Sequence, residues 1–170
     1  RRHTRLRTVT GVQTCALPIF ETEDVRLDVD DGFESLGART CVSGSRITVA
    51  WSEERDGVGG VWVASSADAG ATWSEAAEID GSPALAAHPA IGCDGDRVAV
   101  AWEDTRDGEL GLPNIWFAAS TDGAASWNLP QRIEVDTYGR YASTAPVVSV
   151  LGSDVYVAWM DQLYGAYDIF

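Results

Sequence analysis

Three pentapeptides set the pattern of the chain: ITVAW ends at Trp51, VAVAW at Trp102 and VYVAW at Trp159. In each, alternate positions make one apolar face: Ile47, Val49 and Trp51, then Val98, Val100 and Trp102, then Val155, Val157 and Trp159. The opposite face carries Ala50, Ala101 and Ala158 in register. A period of two marks a strand, and a strand with both faces apolar, one of them small, fits between two adjacent sheets. A strand with one wet face would not need the alanine column.

Each tryptophan is followed by an acidic loop, SEERDGVGG from Ser52, EDTRDGELGLPN from Glu103 and MDQLYGAYD from Met160. Further strands are predicted at VWVASS from Val61, at IWFAAS from Ile115 and, cut short, at Ile169 and Phe170. Weaker strands follow at EAAEID from Glu75 and QRIEVD from Gln131, where Pro130 suits an outer strand with one unpaired edge. Short stretches at HPAIG from His88 and APVVSV from Ala145 open the next units, and the first unit begins near residues 33–36. Four short antiparallel strands per unit, repeated in sequence as well as spacing, favour a propeller blade over a β-sandwich. No helical periodicity of useful length competes with this reading.

Between the third and fourth strands of each unit lies an eight-residue turn, SADAGATW from Ser66 and STDGAASW from Ser120. The carboxylate of Asp68 can accept bonds from the N–H groups ahead of it, Gly70 can take a positive φ, and the hydroxyls of Ser66 and Thr72 can close the two sides. Trp73 then pins the turn to the sheet. The second copy keeps Ser120, Asp122, Ser126 and Trp127 but has Gly123 one place early and Ala124 where the glycine belongs, so its turn is expected to differ in detail.

These turns resemble the Asp-box, S-x-D-x-G-x-T-W, of the repeats in sialidases and related β-propellers. The resemblance covers roughly residues 33–170 and implies an all-β fold, an incomplete propeller of four-stranded antiparallel blades, about two and a half in number. The blades are expected at about 33–80, 87–136 and 144–170, the last truncated where a further Asp-box would follow, so the expectation is a fragment of a longer protein. In its complete form such a protein would be an exo-sialidase or related glycoside hydrolase cleaving terminal sugars from glycoconjugates. A noncatalytic propeller binding glycan or protein is the alternative. The resemblance also implies a secreted or cell-surface location and a carbohydrate partner.

The first 19 residues share nothing with the repeats, and VTGVQTCALPI from Val9 reads as the in-frame translation of a sequencing adaptor. The propeller is therefore expected to occupy 20–170. The first 19 residues hold four of the 12 basic residues and none of the 26 acidic ones, so the remainder is more acidic than the formal charge of −14 for the whole chain. Such a surface repels nucleic acid and anionic membrane. No apolar run approaches the roughly 20 residues needed to span a bilayer. Cys41 and Cys93 lie ten and nine residues before equivalent tryptophans. Equivalent positions in neighbouring repeats usually face successive cores, so two free, buried thiols are expected, with a disulfide as the alternative.

Topology divides the chemistry between two faces. With four strands running up and down, the Asp-boxes lie on one face and the acidic loops and blade-to-blade connections on the other. In the sialidases the boxes are structural, so Asp68 and Asp122 are not expected to be catalytic. The opposite face should hold Glu53, Arg55, Asp56, Glu103, Asp104, Arg106, Asp107 and Asp161, with His88, Tyr138, Arg140 and Tyr141 from the connecting loops. The resemblance asks for three arginines on a substrate carboxylate, a tyrosine nucleophile with a glutamate partner, and an aspartic acid for proton transfer. The family's Phe/Tyr-Arg-Ile-Pro motif is missing, and the catalytic residues stay unassigned. Arg55 and Arg106 recur in the same R-D-G context, which argues for scaffold. Arg140, flanked by Tyr138 and Tyr141 in a nonrepeating loop, is the best single candidate for ligand contact. His88 has only His3 for company and EDTRDG puts Arg106 where a calcium ligand would be needed, so neither a metal nor a cofactor is expected.

Overall fold

The computed structural model describes residues 24–29, 32–55, 58–107, 111–134 and 140–170. The 1–19 segment therefore lies outside the described residues, as do Asp56 and Tyr138. The first sheet contains β1 (Glu34–Ser43), β2 (Arg46–Arg55), β3 (Val58–Ser66) and β4 (Ala77–Glu78), hydrogen-bonded in that order. The second repeats it with β5 (Ala86–Asp94), β6 (Arg97–Asp104), β7 (Asn114–Ser120) and β8 (Gln131–Arg132). The third has β9 (Ser143–Leu151), β10 (Asp154–Asp161) and β11 (Asp168–Ile169). All pairings are antiparallel, and no α-helix occurs among the described residues. The chain is an incomplete β-propeller of three blades in an open arc.

The blades radiate from β1, β5 and β9, which approach one another as the inner strands. Packing between the first two blades explains the alanine column. Ala50, Val61, Val63 and Ile79 of blade one share a buried cluster with Val100, Trp102 and Ala118 of blade two. The small Ala50 on one sheet leaves room for the indole of Trp102 on the next. Gly92 serves the same purpose on β5, because a Cβ there would lie 3.1 Å from the Val148 carbonyl oxygen of β9.

Each inner strand also carries a bulge at the same place, where the ladder register shifts between Leu36 and Arg39, between Ala87 and Ala90, and opposite Ala158 to Met160. The bulged residue takes a left-handed φ in every blade, +65° at Gly37, +53° at His88 and +53° at Ala145. Glycine does this without strain; histidine and alanine do not.

The cysteine expectation is corrected. Cys41 and Cys93 form a disulfide between β1 and β5, with Cα atoms 5.9 Å apart. Their spacing from the tryptophans differs by one residue, so they are not equivalent. Cys41 pairs with Thr48, on the face of blade one that meets blade two, whereas Cys93 pairs with Val98, on the face of blade two that looks back. A shift of one position flips a strand side chain to the other face.

Candidate functional site

The two Asp-boxes build nearly the same turn. In the first, Asp68 accepts the Thr72 N–H at 2.8 Å and the Thr72 hydroxyl at 2.6 Å, while the Ser66 hydroxyl accepts the Gly70 N–H at 2.8 Å and donates to Asp68 at 2.8 Å. In the second, Asp122 accepts the N–H of Ser126 at 2.9 Å and its hydroxyl at 2.5 Å, and the Ser120 hydroxyl accepts the Ala124 N–H at 3.0 Å. The displaced glycine changes little, contrary to expectation, because both middle positions are left-handed in both copies: Ala69 (+60°) and Gly70 (+90°), Gly123 (+72°) and Ala124 (+71°). Either position can hold the glycine, and the alanine at the other carries the strain. The Thr72 hydroxyl and N–H and the Ser66 hydroxyl hold Asp68 down at about 2, and the hydroxyls of Ser126 and Ser120 do the same for Asp122.

Both boxes latch onto the hairpin turn of their own blade, through Ala69 N–H to Ser45 O at 2.8 Å and Gly123 N–H to Asp96 O at 2.7 Å. The boxes and the β1–β2 and β5–β6 turns thus share one face. The acidic loops and the blade-to-blade connections occupy the other.

On that second face, the repeated acid-x-arginine unit is a clamp in blades one and two. Glu53 is buried, and Arg55 donates to it through Nε at 2.6 Å while lying 4.8 Å from the Trp62 ring. Asp104 is fully buried; Arg106 reaches it through Nε at 3.0 Å, donates to the Asp80 carbonyl at 2.9 Å, and stacks 4.0 Å from the Trp116 ring. In blade three the acid persists as buried Asp161, but Leu163 stands in the arginine's place and donates only its N–H, at 2.8 Å. Arg55 and Arg106 are thus each tied to a buried carboxylate two residues earlier and lie against a tryptophan ring.

A further carboxylate pair was not singled out from the sequence. Asp80 accepts the Val61 N–H at 2.8 Å, and Glu134 accepts the equivalent Ile115 N–H at 2.6 Å. Burial pushes Asp80 up to about 6, with neighbouring Glu78 adding to the shift and the Val61 N–H opposing it. The available signal was position: each acid lies seven residues beyond its box tryptophan.

Arg140 and Tyr141 are exposed in the connection entering β9, on the same face, and Asp107 is exposed beyond the Arg106 clamp. Closer to the inner strands, a cleft of about 580 Å³ is lined by Arg39, His88, Pro89, Glu103, Pro146 and Val148, among others. His88 Nδ1 lies 3.0 Å from one oxygen of Glu103, and the Ala145 N–H donates to the other at 2.9 Å. Glu103 therefore joins a strained bulge of its own blade to the strained bulge of the next. Sequence reasoning placed His88 and Glu103 on this face without pairing them, and passed over Arg39. Among the described residues, no group of three or more His, Cys, Asp or Glu could hold a metal ion. No described helix is long and apolar enough to cross a membrane.

Solved structures of two propeller glycosidases share this fold. Trypanosoma rangeli sialidase, in complex with the inhibitor DANA, matches with a TM-score of 0.51 at 10% identity, over 81% of this chain and 30% of that one. An α-L-arabinofuranosidase from Lactobacillus brevis matches with a TM-score of 0.51 at 11% identity, over 84% of this chain and 50% of that one. The fold is sialidase-like. At such identities the likeness concerns the fold alone, and the chain spans a half or less of either protein. No protein-family model and no curated protein sequence matches the chain.

Proposed function

We propose that this chain is part of a sialidase-like propeller whose complete form hydrolyses terminal sugars of glycoconjugates, working on the face opposite the Asp-boxes. The observation that carries this reading is the cleft beside the inner strands, where a carboxylate, an imidazole and a guanidinium gather. The Asp-box carboxylates, by contrast, are consumed by their own turns. Fold likeness to a sialidase and an arabinofuranosidase supports a glycoside as substrate class and leaves the sugar open. A secreted location accords with the Cys41–Cys93 bridge, since disulfides persist in oxidising compartments.

One observation favours a second reading, a glycan-binding propeller without catalysis. Arg55 and Arg106 are each engaged by a buried carboxylate two residues earlier and by a tryptophan ring, so neither is poised for a substrate carboxylate. The deciding experiment is expression of the complete protein and assay on fluorogenic α-sialosides and α-L-arabinofuranosides. Hydrolysis of either is expected. A folded, complete propeller that hydrolyses neither but retains sugar binding would establish the second reading.

A further inference from the structure

In a repeat protein the positions shared by all blades describe the scaffold, and those that break the repeat are where a particular task can be written. Three such breaks meet in one place. The bulge position reads Gly37, His88, Ala145 across the blades; the residue after the strand tryptophan reads Ser52, Glu103, Met160; and the second residue beyond the bulge position, where pairing resumes, reads Arg39, Ala90, Val147. His88, Glu103 and Arg39 are thus each confined to one blade, yet all three line the same cleft.

Their geometry equips the cleft for a hydroxylated ligand. Each Glu103 oxygen accepts one bond, from His88 Nδ1 and from the Ala145 N–H, which fixes the carboxylate and leaves it further acceptor capacity. With Nδ1 turned to Glu103, His88 has Nε2 left for a second partner, and its side chain is 71% exposed. Arg39 is also exposed and spends Nη1 on the Ala38 carbonyl at 3.1 Å. Exposed Val147 and half-buried Val148 give the wall an apolar surface suited to the C–H face of a sugar ring, with Pro89 and Pro146 buried behind it. Holding His88 at a positive φ costs free energy, and the fold retains it where the side chain meets the cleft.

We infer that Arg39, His88 and Glu103 form the sugar-contacting site of this face, Glu103 and His88 bonding ring hydroxyls and Arg39 an acceptor oxygen of the same terminal sugar unit. This rests on the reading of the face as saccharide-directed and adds the residues that do the contacting. It assigns binding to nonrepeating residues at and opposite the inner-strand bulges and gives the recurring loop arginines no part in it.

The test is isothermal titration and saturation-transfer NMR of the full chain with L-arabinose and N-acetylneuraminic acid, alongside Arg39→Gln, His88→Asn and Glu103→Gln. Asparagine tolerates a left-handed φ, so His88→Asn keeps the bulge. Glu103→Gln and Arg39→Gln should each weaken binding of at least one sugar about 10-fold, and His88→Asn by less, with melting temperatures measured in parallel. Unchanged affinity in all three variants, with or without a fall in melting temperature, would reduce Glu103 to an inter-blade tie and overturn the inference. So would no binding of either sugar by the folded parent. Failure of the broader proposal looks different. A complete protein that hydrolyses glycosides with parental kcat/KM in all three variants sinks this site and leaves the hydrolase standing. Binding through these residues without hydrolysis does the reverse.

Discussion

Blades two and three carry nearly the same central strand, VAVAW and VYVAW, yet they sit in different surroundings. Val98, Val100 and Trp102 are at most 2% exposed, whereas Val155, Val157 and Trp159 are half-buried and Tyr156 is 58% exposed. The inner strand differs likewise, with Val147 at 61% and Leu151 at 70%. Blade two is covered on both faces and blade three is not. A strand of this pattern is thus only half of a packing unit, and the hydrophobic effect acts on it through its neighbours. Stability in repeat architectures is accordingly a sum of repeat and interface terms.

The largest expected effect tests that difference directly. Trp102→Ala should cost about 3–5 kcal/mol and Trp159→Ala less than half as much, as read by urea denaturation of the two variants. Equal losses would mean that burial by the neighbouring blade is not what separates them. Arg106→Ala comes next, because it strips the side-chain cation from a fully buried Asp104 and removes the cover from Trp116. A loss of about 3 kcal/mol is expected, while Leu163→Ala at the matching place in blade three, which leaves its backbone bond to Asp161 intact, should cost less than 1 kcal/mol.

Smaller effects sharpen the comparison at the Asp-boxes. Ala124→Gly in blade two should stabilise by about 0.5–1 kcal/mol, since it relieves a left-handed alanine at the expense of some chain entropy. Gly70→Ala in blade one should act in the opposite sense, and thermal melts of the pair would show whether the two turns share one energetics. The smallest effect is a pH dependence. Asp80, pushed up to about 6 in the folded state against an ordinary 3.8, binds its proton more readily folded than unfolded. Its contribution favours the fold below that window and is lost as pH rises through about 6. Asp68 and Asp122, held at about 2, act the other way: their stabilisation is present above 3.8 and disappears as pH falls through about 2. Melting temperature should therefore rise slightly from pH 7 to about 5, and the rise should vanish in Asp80→Asn.

Much of the site was legible and part was not. The division of faces followed from strand count and is expressed in the latching of Ala69 and Gly123 to their hairpins. The recurrence of Arg55 and Arg106 is matched by the same contacts, each to the acid two residues earlier and to a tryptophan ring. Aligning the two boxes by their glycines hid their equivalence, because the turn asks for two left-handed residues and the repeats place glycine at different ones. Reading EAAEID against QRIEVD from their first letters concealed that Asp80 matches Glu134, a register visible in the pairing of Trp62 with Glu78 and Trp116 with Arg132.

What the sequence determined by itself was local and periodic: which residues form strands, which face each presents, and where hydroxyls and carboxylates can close an eight-residue turn. Those features depend on neighbours a few positions away, so they survive without knowledge of the rest. Tertiary structure alone decided what lies across a blade boundary. It brought Cys41 to Cys93, made Glu103 reach the Ala145 N–H, and set Arg39 and His88 on the walls of one cleft. Such meetings depend on the stacking of whole sheets, where one residue of register reverses a side chain's direction, and no local pattern carries that information.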